Sequence, residues 1–131
     1  MTVTAAQLAS PSYTCIHFTD KAPAQAELAG EGLFVADIGG GAIHTDEELF
    51  EALASAMRFP DYFGHNWDAL DECLRGLEWL SGEKGYVLIV RNAQHSWTGH
   101  YLMAGSLHNA WSLAGEEWMG RGKPFHLVFE W

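Results

Sequence analysis

Asp68, Asp71, Glu72 and Arg75 follow one another at three- and four-residue spacing, directly after the loop Tyr62-Phe63-Gly64-His65-Asn66. Side chains so spaced share one face of a helix. Asp68 falls in the first turn, where the positive end of the helix dipole favours a carboxylate. Glu72, one turn on, adds like-charge repulsion to it. Such a face performs no bond chemistry by itself. It is either a solvated surface or a set of carboxylates offered to a cationic partner. In the loop, His65 changes charge in the physiological range and would give binding a pH dependence. Tyr62 is placed to act as an aromatic anchor in an interface.

Other chemistries are weaker. Among the seven histidines, His95, His100 and His108 could be imagined as ligands, but H-E-x-x-H, C-x-x-C and i, i+4 histidine pairs are missing. We therefore expect no metal and no cofactor. Cys73 reads as inert core, because it lies on the apolar stripe of its helix. Gly39-Gly40-Gly41 lacks the spacing and the lysine of a phosphate loop. With no convergent nucleophile and base, the chain does not read as an enzyme.

The acidic face needs elements to hold it. Pro60 forces its predecessor out of helical conformation, so the preceding helix stops near Arg58. Gly64 is expected at positive φ, and Asn66 is expected as the N-cap of a helix that starts at about Trp67. That helix buries Trp67, Leu70, Cys73, Leu74 and Leu77 as one stripe. Upstream, Thr45-Asp46-Glu47-Glu48 reads as a capping box, with Glu48 reaching back to Thr45. The helix it opens runs to about Met57 and buries Leu49, Phe50 and Leu53, while Glu47, Glu48 and Glu51 face water without an assigned role.

Leu33–Ile38, Tyr86–Arg91 and Phe125–Phe129 are apolar runs closed by turn residues and read as strands. The unbroken apolarity of Tyr86–Arg91 suits a strand covered on both faces. Between the last two strands lies a helical region from about Gly99 to Met119, with a break expected around Gly115. Strand, helix pair, strand, helices, strand implies an α/β fold with a small three-stranded parallel sheet. Residues 1–33 form an extension ahead of the main unit, 34–131. Within it Ser12–Phe18 is either an added edge strand or part of a mobile leader.

The 131 residues carry a formal net charge of −10 and only seven Lys and Arg, too few cations for a nucleic-acid surface. Nine of the seventeen carboxylates lie between Thr45 and Glu78, opposed there only by Arg58 and Arg75. The field thus has a direction, and a basic protein is the favoured partner. Cys15 and Cys73 are too few and too far apart for a disulfide scaffold. Neither a secretory leader nor a run of membrane-span length is visible. We expect a reduced, cytoplasmic protein with no membrane contact, monomeric when free.

Tyr62-Phe63-Gly64-His65-Asn66-Trp67-Asp68-Ala69-Leu70, followed by Cys73-Leu74, resembles the signature of the barstar family, intracellular inhibitors of small secreted microbial ribonucleases. The likeness runs from about Phe34 to Phe129. It implies that the loop and the first two helical turns plug a nuclease active site, with carboxylates where substrate phosphates would lie. Tyr62, Gly64, Asn66 and Asp68 match the family pattern. Glu72 stands where the best-known inhibitor has Asp, and Asp71 where it has an aromatic residue. The resemblance also implies a further acidic contact from the last helix, at Glu116 or Glu117. The implied surface is Tyr62, Gly64, His65, Asn66, Asp68, Asp71, Glu72 and Arg75, and the implied role is occlusion of a basic ribonuclease. Its rivals are a regulatory protein-binding module of the same fold and, further off, a small enzyme.

Overall fold

The computed structural model describes residues 2–80 and 82–131. The strands are β1 (Ile16–Thr19), β2 (Leu33–Gly39), β3 (Gly85–Arg91) and β4 (Phe125–Glu130). The helices are α1 (Ala5–Leu8), α2 (Gln25–Gly30), α3 (Asp46–Ala56), α4 (Trp67–Gly76), α5 (Ala93–Gly99) and α6 (Tyr101–Gly120). The sheet has four strands in the order β1-β4-β3-β2, each pair parallel.

The fold is thus the expected α/β with a parallel sheet, but the three-strand count is corrected to four. The added strand is β1, in register Ile16 with Leu127 and Phe18 with Phe129. Hydrogen bonds at both its ends secure it: Leu127 N–H donates to Cys15 O and Trp131 N–H to Thr19 O, each at 2.8 Å.

Period-two alternation along the strands divides two cores. On one face Phe34, Ala36, Ile38, Tyr86, Leu88, Val90, Phe125, Leu127 and Phe129 pack beneath Leu49 and Leu53 of α3, Leu70 and Leu74 of α4, and Leu107 and Trp111 of α6. On the other, Leu33, Val87, Ile89 and Val128 pack against Val3, Ala5, Leu8, Ala22 and Leu28 from the N-terminal segment. The first six residues of β3 are consequently all buried. Residues ahead of β2 supply the second layer that an unbroken apolar strand needs. Polar bonds tie that layer down: Arg91 pairs with Asp37 at 2.6 Å and with Glu130 at 2.8 Å. Glu130 also accepts from Ala22 N–H at 2.7 Å, and Asp37 from the Gln25 amide at 3.0 Å.

Two helical expectations change. α6 runs unbroken through Gly115, where a Cβ would stand 2.9 Å from Cys15 Sγ. The glycine serves close helix-to-strand approach rather than helix breaking. α5, a short helix ahead of α6, was not expected. Its residues Ala93-Gln94-His95-Ser96-Trp97 carry no clear apolar period, and it opens from Asn92 at φ 54° without a side-chain cap.

Candidate protein-binding site

α3 ends as Pro60 requires. Arg58 takes a left-handed conformation, φ 56°, and Phe59 N–H reaches back to Ala54 O at 2.9 Å, a Schellman closure. The chain then turns under its own aromatics: the Phe63 ring meets Phe59 edge-on at 4.9 Å and Phe50 at 6.1 Å. Beneath them, Trp79 donates through Nε1 to Met57 O at 2.9 Å. With Phe63 buried, its neighbour Tyr62 is thrown outward and is 76% exposed.

The left-handed residue of this loop is His65, at φ 51°, and not Gly64 as the sequence suggested. Histidine is among the side chains that tolerate this region. Here its Nδ1–H donates to Phe63 O at 3.1 Å and its ring lies 4.8 Å from that of Phe63. Glycine at 64 answers to space instead. A Cβ would lie 3.2 Å from the Asn66 amide nitrogen and 3.5 Å from the Ala69 methyl.

Asn66 caps α4 as expected, its Oδ1 accepting from Ala69 N–H at 2.8 Å while its amide donates to Gly64 O at 3.2 Å. One side chain therefore fastens the loop and the helix start together. Trp67, half-buried rather than fully core, meets Phe50 edge-on at 5.0 Å and donates to Asp46 at 3.1 Å. That bond locks the N-terminal ends of α3 and α4 to each other.

The acidic residues divide. Asp68 and Glu72 are exposed, and neither has a hydrogen bond or ion pair with any described residue. Asp71 is half-buried and accepts from Arg75 Nε at 2.9 Å. Arg75 Nη1 also pairs with Glu117 of α6 at 2.8 Å, and Glu117 in turn with Arg121 at 3.3 Å. The residue that α6 brings to this face is thus Glu117. Glu116 lies toward Cys15, whose thiol is raised chiefly by burial and further by that carboxylate. Cys73 is buried too, and burial, followed by the charges of Glu72 and Glu78, pushes its thiol up, away from thiolate character.

The capping box of α3 is shifted by one residue. Thr45 Oγ accepts from Glu48 N–H at 3.1 Å, but the Glu48 carboxylate takes its backbone donor from His44 N–H at 2.9 Å, with the Thr45 hydroxyl donating to it at 3.4 Å. Of the three histidines weighed as ligands, His95 and His100 lie together and are joined by His44. His108 sits apart, against Trp97 at 6.3 Å. Sequence spacing could not find His44, since it comes from a different element.

Loop, cap and acidic helix together make a continuous surface that presents carboxylates. A family model described as barstar (barnase inhibitor) matches residues 33–130. The chain belongs to the barstar family. The match opens at the first residue of β2, so α1, β1 and α2 precede the region that defines the barstar family. A search of curated proteins gives no significant match. Among the described residues, no helix is long and apolar enough to cross a membrane.

Proposed function

We propose that this barstar-family protein binds a small basic ribonuclease inside the producing cell and closes its active site with the loop Tyr62–Asn66 and the first two turns of α4. The observation that carries this is the state of Asp68 and Glu72, two exposed carboxylates with no partner among the described residues. They stand on a helix whose start is fixed by the Asn66 cap. Carboxylates already paired within the chain would have to be released before meeting a partner's Arg or Lys. These two are free to do so, and the backbone that carries them is already ordered, so little conformational entropy is lost on binding.

A ribonuclease must gather cations to hold RNA phosphates, and two carboxylates one turn apart offer such cations an anionic substitute. Tyr62, exposed beside them, supplies apolar area to keep water from the contact. The basic partner answers the excess of acids between Thr45 and Glu78, which speeds encounter. Inhibition at the site of synthesis places the protein in the cytoplasm and makes it an immunity protein toward its own nuclease.

The test is capture. The immobilised protein is exposed to secreted and cellular fractions of the producing cell, and what it retains is assayed for RNA cleavage before and after release. A small basic ribonuclease, silent when bound at one-to-one ratio and active when released, supports the reading. A neutral or acidic partner without nuclease activity overturns it.

A further inference from the structure

His44, His95 and His100 meet at one corner of the molecule, with one ring nitrogen from each within 4.8 Å of the others. His44 lies between the 3₁₀ turn Gly40–Ala42 and α3, His95 lies within α5, and His100 is the C-cap of α5. The ring centroids are 5.2 Å apart for His44 and His95, 5.5 Å for His44 and His100, and 5.4 Å for His95 and His100. Nε2 of His95 is buried and has no hydrogen-bond partner among the described residues. Buried polar atoms are nearly always paired, so an orphan inside a group of potential ligands asks for a missing one.

The backbone is built to make this meeting. A Cβ on Gly40 would come within 2.9 Å of Arg91 O and 3.0 Å of Ser96 Oγ, so only glycine lets the turn before His44 press against the start of α5. The glycine run is therefore a docking device. At the other end of α5, His100 N–H donates to Ser96 O at 2.8 Å, which holds His100 a turn beyond His95.

We propose that His44, His95 and His100 form a binding site for a divalent transition-metal ion of the zinc class. Three imidazoles suit zinc, copper, nickel or cobalt, whereas calcium and magnesium require oxygen donors. Tetrahedral zinc with bonds of about 2.0–2.1 Å needs ligand nitrogens roughly 3.4 Å apart. The present spacing closes to that by side-chain rotation, and His44 is exposed and able to supply it.

Glu48 is placed to orient that ring. Its Oε1 accepts from His44 N–H at 2.9 Å and lies 3.7 Å from His44 Nδ1. With Nδ1–H turned to Glu48, Nε2 is the nitrogen left for the ion, and the carboxylate steadies a metal-bound histidine from behind. The fourth position falls to water.

Zinc alone, titrated into the chelator-treated full-length protein against a competing chelator, tests this. One equivalent should bind, and cobalt in its place should develop the ligand-field bands of a tetrahedral site. His44→Ala and His95→Ala should each weaken zinc at least tenfold, while His108→Ala and His17→Ala bind as the native protein does. Zinc should raise the melting temperature only where all three histidines remain, and His44→Ala, being a surface change, keeps the fold for the comparison. Absence of stoichiometric binding, binding undiminished in His44→Ala and His95→Ala, or equal loss in His17→Ala would each overturn the proposal and leave the cluster as packed rings.

Discussion

Arg75 donates through Nε to Asp71 at 2.9 Å, one turn back along α4, and through Nη1 to Glu117 of α6 at 2.8 Å. The acidic face is therefore not uniform: Asp71 and Glu117 are already matched by a cation, whereas Asp68 and Glu72 are not. A partner group set opposite Asp71 alone, which the bare sequence invites, would have to compete with Arg75.

Asp68→Ala and Glu72→Ala should each raise the dissociation constant for the nuclease by at least about tenfold, roughly 1.4 kcal/mol. Asp71→Ala should cost less, and Glu47→Ala and Glu51→Ala should leave affinity nearly unchanged, because charges at an interface rim mainly tune encounter. Calorimetric affinities of the five variants check it.

Arg75→Ala should act in the opposite sense on kinetics. It unmasks Asp71 and Glu117, so association with a basic partner should become faster at low ionic strength and the gain should fade as salt rises. Stopped-flow association rates across a salt series read this directly. A slower rate at low salt would show instead that Arg75 itself meets the partner.

Leu8 and Leu28 are fully buried against the face of the sheet that carries Val87, Ile89 and Val128. Leu8→Ala and Leu28→Ala should each destabilise the fold by about 2–4 kcal/mol in denaturant titrations. A loose leader would give almost no effect. This matters for production of the protein, since removing residues 1–32 would uncover an apolar sheet face.

How much of this was legible beforehand depends on how local the cause is. The Asn66 cap, the end of α3 before Pro60 and the three long strands come from neighbouring residues, and they stand as read. Gly64 and Gly115 were misread because their glycines answer to atoms met only in the folded chain, the Asn66 amide with the Ala69 methyl and Cys15 Sγ. The place of β1 depended on β4, more than a hundred residues later. Glu117's pairing with Arg75 and the gathering of His44 with His95 were invisible for the same reason.

Gly115→Ala tests one of those long-range causes. The added methyl meets Cys15 Sγ at 2.9 Å, so it should destabilise by about 1–3 kcal/mol. In a Cys15→Ala background the sulfur is gone and most of that loss should vanish. A double-mutant cycle by urea unfolding measures the coupling, and simple additivity would contradict the contact.

His17 and His126 give the fold an acid-sensitive point. His126 Nε2 faces the acceptor Ser10 O at 2.8 Å and so carries the proton, which makes its Nδ1 the acceptor for His17 Nε2–H at 2.9 Å. Burial, then the neighbouring His126, lowers the His17 pKa to about 4, and burial lowers that of His126 as well. The unfolded chain, with histidines near 6.5, binds these protons first. Stability is therefore full above about pH 6.5 and falls as pH drops toward 4. His17→Phe should flatten that slope, as followed by thermal unfolding at a series of pH values.

On the proposed reading, the unpaired carboxylates of α4 are what stop the ribonuclease. Titrating the native protein and the Asp68→Ala, Glu72→Ala double variant into a fixed amount of the captured basic ribonuclease, with RNA cleavage as readout, tests it most directly. Native protein should abolish cleavage at one equivalent, and the double variant should leave most of the activity at the same ratio while keeping its fold by circular dichroism. Full cleavage in the presence of excess native protein, or equal inhibition by both proteins, would show that these carboxylates are not what stops a ribonuclease.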